Sequence, residues 1–153
     1  MAVADITVSV DVDAPVATVW AAVTDWENQG EWMLGTDVSV TRGDGVSVGS
    51  ELAATTGVGP LGVTDTMEIL GWDPPHRAVV RHTGRVVRGS GTFTVVPRGA
   101  GSTFHWSEQL DLPLGVLGAA GWPLVRPVFR VGLAVSLGRM ARRCEASARG
   151  ERA

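Results

Sequence analysis

The last third of the chain sets the terms for everything before it. Leu112 to Cys144 opens on Leu-Pro-Leu-Gly and closes on Arg-Arg-Cys. From Pro123 onward, Phe129, Leu133, Leu137, Met140 and Cys144 recur at three- and four-residue steps, which places them on one face of an α-helix. Upstream, apart from one early helical segment, the pattern is strands and turns. One long amphipathic helix must bury its apolar face against those strands, so a sheet wrapped around the helix is expected.

The strands are legible from their period. Ile6, Val8, Val10 and Val12 alternate with Thr7, Ser9 and Asp11, a half-buried strand. Asp13-Ala-Pro follows. Pro15 suits a first helical turn and Asp13 suits its cap, and Val16, Val19, Trp20 and Val23 then fall at helical spacing. Trp26 to Met33 reads as a second short helix or turn. Period two returns from Thr36, with a turn at Arg42-Gly-Asp-Gly. Further strands are expected over Ser50 to Thr56, Val63 to Trp72, Ala78 to Thr83, Thr92 to Val96 and Thr103 to Leu112. Their short connections predict antiparallel hairpins.

Composition excludes several functions. A length of 153 residues fits one domain over 1–153, and 44% hydrophobic residues suffice for a core. The net charge of -3 does not point to nucleic acid. All 13 basic residues are arginine, which reads as a bias toward GC-rich codons. The cluster Arg139, Arg142, Arg143, Arg149 and Arg152 is expected on a solvated helix face. Cys144 is the lone cysteine, so no internal disulfide forms, and on the apolar face it acts as a small hydrophobe. No basic segment precedes an apolar one at the N-terminus, so no signal peptide is read. Arg126, Arg130 and three prolines interrupt the apolar run from Leu112 to Leu137. No stable membrane insertion follows, and a cytoplasmic protein is expected. Nothing in the sequence sets an oligomeric state.

Catalytic motifs are absent. Gly57-Val-Gly-Pro-Leu-Gly lacks the Gly-Lys-Ser/Thr ending and following helix of a phosphate loop. Gly89-Ser-Gly, expected between strands, is no nucleophile elbow. His76, His82 and His105 lie at no metal-ligand spacing, so neither metal nor cofactor is expected.

Several motifs together resemble a known family. They are Asp13-Ala-Pro-Val-Ala-Thr-Val-Trp after the opening strand, Trp26 through Trp32, Gly71-Trp-Asp-Pro-Pro-His-Arg, Gly101-Ser-Thr-Phe-His-Trp-Ser-Glu, and the long final helix. Over nearly its whole length the chain resembles the START-like (SRPBCC) superfamily, and within it the polyketide cyclase/dehydrase and lipid-transport family. The resemblance implies an α+β helix-grip fold. In that fold a curved antiparallel sheet of about seven strands wraps around a long C-terminal helix, with two short helices after the first strand. It also implies a cavity between sheet and helix. Members bind lipids, sterols, polyketides and other apolar ligands, and some are cyclases or hydrolases, so fold alone leaves the function open.

Parity nominates what lines such a cavity. In the last strand Phe104, Trp106, Leu110 and Leu112 share a face with Glu108, a carboxylate that is costly there unless paired, hydrogen-bonded or neutral. Asp65 alternates likewise with Val63, Met67 and Ile69. His82 shares a face with Ala78 and Val80, although both faces of that strand are partly apolar. Asp65, His82 and Glu108 therefore form a candidate acid–base or ligand-orienting set. The alternative is that Glu108 pairs with Arg81 or Arg88, or sits in water at the mouth. Trp72, Trp106 and Phe104 are candidate wall residues. Arg126 and Arg130 lie near the Leu133 and Leu137 face. Either guanidinium would meet a ligand carboxylate or Glu108, or its stem would pack while its head reaches water. Trp122, with Leu114, Val116 and Leu117, is a candidate apolar gate. His105 points outward.

Three readings follow: a binding protein for a small apolar or amphipathic ligand, a polyketide or aromatic cyclase/dehydratase using the polar set, and an interaction protein with a vestigial cavity. The third requires a collapsed interior and an exposed apolar patch around Leu114 to Val125.

Overall fold

Alternating strands and one amphipathic helix assemble as their periods dictate. The structure, a computed structural model, describes residues 3–57, 59–85, 87–112 and 115–152. Its strands are β1 (Val3–Val12), β2 (Thr36–Arg42), β3 (Glu51–Thr56), β4 (Val63–Asp73), β5 (Arg77–Thr83), β6 (Arg88–Arg98) and β7 (Gly101–Asp111). They form one antiparallel sheet in the order β1-β7-β6-β5-β4-β3-β2. Strands β2 to β7 run as a meander, and β1 pairs with β7 at the far edge, with Val8 opposite Trp106. Helix α1 (Val16–Val23) and a 3-10 helix (Trp26–Glu31) carry the chain between the two edges. Helix α2 (Val116–Arg152) packs against β1 and α1. This is the expected helix-grip arrangement.

The core follows the sequence pattern. Leu133, Leu137, Met140 and Cys144 of α2 are buried with Ile6, Val8, Val12, Val19, Trp20 and Phe104. Phe129, one step earlier on that face, is partly buried against them. A second cluster, Trp26, Val38, Leu52, Ala54 and Ile69, lies under the β2–β4 end of the sheet. Burial pushes the Cys144 thiol up to about 11, and its Sγ lies 3.5 Å from Met140 Sδ, so it is a packing residue.

Three local expectations are corrected. Helix α2 begins at Val116 and contains both Pro123 and Pro127, instead of starting at Pro123. A proline removes a hydrogen bond to the carbonyl four residues back. Those carbonyls belong to Ala119 and Pro123, both exposed residues whose carbonyls water can satisfy. Helix α2, at 37 residues, is about 55 Å long. The 11-residue strands reach about 37 Å. Leu117, Leu124 and Val128 of α2 are more than 70% exposed. Second, Asp13 does not cap α1: Pro15 occupies the N-cap, with no side-chain cap bond. Asp13 instead pairs with Arg98, and its backbone N–H donates to Glu145 on α2. Third, β6 starts at Arg88, so Gly89-Ser-Gly lies inside a strand.

The terminal arginines are not all free in solvent. Arg139 donates to the Glu31 carbonyl at 3.1 Å, and Arg143 pairs with the Glu31 carboxylate, tying α2 to the 3-10 helix. Among the described residues no helix is long and apolar enough to cross a membrane.

Candidate functional site

Between the concave sheet face and α2 lies a cavity of about 420 Å³. That is within the roughly 300–1,000 Å³ of small-molecule sites. Met33, Val38, Met67, Val80, Phe93 and Leu133 are among its apolar walls. Asp65, His82, Trp106 and Glu108 also line it.

These four side chains form one hydrogen-bonded ladder. His82 Nδ1 is 2.7 Å from Asp65 Oδ2, and His82 Nε2 is 2.8 Å from Glu108 Oε2. Trp106 Nε1–H donates to Glu108 Oε1 at 2.7 Å. An indole N–H can only donate, so Glu108 accepts at that oxygen. Burial by itself lowers the pKa of His82, but hydrogen bonds to Asp65 and Glu108 and the charge of both carboxylates outweigh it. The imidazole is raised from 6.5 to about 10 and is an imidazolium at neutral pH, donating from both ring nitrogens. One cation between two carboxylates leaves the cluster with a net charge of one negative.

Register explains why the ladder closes. His82 on β5 pairs with Gly89 on β6, and Glu108 on β7 pairs with Gly91. Strands two apart in a sheet stand about 10 Å apart, too far for direct contact if the strand between them carries side chains. Gly89 and Gly91 have none, so His82 and Glu108 meet over bare backbone. Asp65 lies diagonally across from His82, whose direct partner on β4 is Met67. Neither arginine proposed as a partner reaches Glu108: Arg81 is on the opposite face, with Glu68 at 2.7 Å, and no Arg88 ion pair is among the contacts of the described residues.

The remaining candidates are placed differently. Phe104 is fully buried behind the cavity wall, edge-to-face with Phe93 at 5.2 Å, because α1 and α2 cover that end of the sheet. Trp72 is carried to the inner face by a bulge between Ile69 and Gly71, yet it packs on Trp20 and Trp26 and does not line the cavity. Arg130 is exposed on α2 and so is Arg126. The inward positions at this level belong to Phe129, Gly132 and Leu133. Trp122 contacts Phe129 at 6.2 Å and borders a separate recess, while Leu117 is exposed and Leu114 lies outside the described residues. His105 accepts or donates at Ser9 Oγ on the outer face, 2.6 Å away. Among the described residues no group of three or more His, Cys, Asp or Glu is arranged to hold a metal ion.

Gly91 escaped the sequence reading. A Cβ there would lie 2.9 Å from Glu108 Oε1 and 3.1 Å from Oε2. The signal was two glycines of equal parity in one strand, a place where glycine ordinarily weakens pairing. Alanine usually stabilises such a position by about 0.5–1 kcal/mol. Gly91→Ala is expected to do the opposite, losing about 1–3 kcal/mol in urea unfolding because the buried carboxylate is pushed off His82. A gain in stability would show that Glu108 has room to move.

The chain has known relatives in sequence profile and in structure. The profile of the polyketide cyclase/dehydrase and lipid-transport family matches residues 3–145. No curated protein matches in a direct sequence search. TTHA0849 from Thermus thermophilus superposes with a TM-score of 0.79 at 16% identity, covering 95% of this chain and 99% of its own. The Zhui aromatase/cyclase from Streptomyces sp. R1128 gives 0.76 at 15% identity, covering 94% of each chain. The di-domain aromatase/cyclase StfQ of the steffimycin biosynthetic pathway gives 0.74 at 13% identity, covering 95% of this chain and 52% of its own. At these identities the structural likeness is one of fold.

Proposed function

Since the chain belongs to the polyketide cyclase/dehydrase and lipid-transport family, we propose that it binds a small apolar or amphipathic ligand between its sheet and α2. The observation that carries this reading is the cavity itself: about 420 Å³, walled by apolar side chains, with one polar ladder on its wall. Apolar burial supplies the affinity and the ladder supplies orientation. An interior of that size argues against a vestigial cavity.

The test is native mass spectrometry of the protein purified from its own host, with titration of an apolar naphthalene probe followed by calorimetry. A stoichiometric lipid, isoprenoid or polyketide, or saturable probe binding, is the expected result. A protein that is empty and ignores the probe overturns the reading.

The ladder also favours a second reading, a cyclase or dehydratase. An imidazolium beside a carboxylate oxygen pairs an acid with a base in one place. That reading predicts that Asp65→Asn abolishes turnover of a polyketide-like substrate while its binding persists. Binding without turnover in the unaltered protein favours the carrier.

A further inference from the structure

We propose that the ligand of this cavity carries a hydroxyl group at its buried end, and that Asp65 Oδ1 accepts its hydrogen bond. The inference rests on the binding function proposed above and narrows its ligand class.

The cavity wall has its polar atoms largely engaged. Thr36 donates to the Leu34 carbonyl at 3.0 Å, and the Gln29 amide to the Val23 carbonyl at 2.7 Å. Ser136 donates to the Gly132 carbonyl and accepts from the Leu34 N–H. Both Glu108 oxygens and both His82 nitrogens are used within the ladder. Among the described residues, two buried side-chain polar atoms meet no partner in the protein: Trp32 Nε1 and Asp65 Oδ1. Only the second belongs to a residue of the cavity wall. A buried carboxylate oxygen without a donor is unfavourable, so a ligand that supplies one gains where an acceptor would be repelled.

Charge sharpens the choice. The ladder carries one net negative charge, so a ligand carboxylate buried head-first against Asp65 would meet like charge. A protonated amine would bring three N–H donors to one free oxygen, among walls such as Val63, Met67, Val80 and Leu110. A neutral hydroxyl matches in number: one donor, one acceptor. The class is therefore a hydroxylated apolar molecule, a phenol, enol or alcohol on a ring or chain.

Four probes of one shape test this on the full chain by calorimetry: 2-naphthol, 2-methoxynaphthalene, naphthalene-2-carboxylate and 2-naphthylmethylamine. The naphthol is expected to bind about tenfold tighter than the methyl ether, the scale of one hydrogen bond to a charged acceptor, with the carboxylate weakest. Asp65→Asn removes the charged acceptor and should erase the preference. Equal binding of naphthol and ether to the unaltered protein overturns the inference and leaves the binding function standing. Tighter binding of the amine than the naphthol overturns it in favour of a cationic ligand. No binding of any probe overturns the inference, and, where nothing co-purifies with the protein, the binding function with it.

Discussion

Replacing His82 with leucine is expected to cost about 3–5 kcal/mol of folding free energy at pH 7, read by urea unfolding. The ring is the only cation between Asp65 and Glu108 in the ladder, at 2.7 and 2.8 Å. Its removal strands two carboxylates on an apolar wall, and Glu108 keeps only the Trp106 N–H. Charge-assisted bonds are lost while the desolvation already incurred remains. The origin of the loss is checked by removing all three groups. The variant with leucine at positions 65, 82 and 108 is expected to recover most of the stability, since apolar replacement of a complete buried ion cluster is often neutral. A loss below about 1 kcal/mol in the single variant would mean that His82 does not hold the charges.

That recovery bears on function. If an apolar trio folds as well, stability does not account for a buried cation and two carboxylates at this place. Departures from local packing rules gather at functional sites. The ladder departs from them on the wall of the cavity, which supports the proposed role in orienting a ligand.

How much of this is readable from sequence depends on whether the governing rule is local. Strand parity is local, and it puts Glu108 with Phe104 and Trp106, and Asp65 with Val63 and Met67, before any contact is known. It cannot say that Trp72 returns to the inner face through a bulge, because one extra residue inverts every later position. Nor can it bring His82 to Glu108, which depends on two glycines in a third strand and on a register set by the whole meander. Helical period likewise gives Leu133, Leu137, Met140 and Cys144 correctly as buried. Pro123 misleads on the helix start, because a proline is tolerated where the freed carbonyl faces water. A helical wheel sets Arg130 near the inward face, but it does not say how narrow that face is. At the level of the cavity about 60° on the wheel separates Leu133 inside from Arg130 in solvent.

Raising the pH from 7 to 9 is expected to lower folding stability by about 2–3 kcal/mol, and most of that fall should vanish in His82→Leu. The sign follows from where the proton resides. In the unfolded chain the imidazole has its ordinary value of 6.5, and in the folded protein it is held at about 10. Below 6.5 both states are protonated and the stabilisation is fully present. Between the two values only the folded state keeps the proton, so stability falls with a slope approaching about 1.4 kcal/mol per pH unit. The contribution is gone once the pH passes through the folded value. Cys144 acts in the same direction but mainly above pH 9, since its thiol moves from 9.0 to about 11, so His82 dominates a window ending at 9. Urea unfolding at half-unit steps gives the slope directly. A flat profile in the unaltered protein would show that the ladder holds a neutral imidazole. The slope therefore tests the charge state on which the preference for a hydroxyl ligand depends.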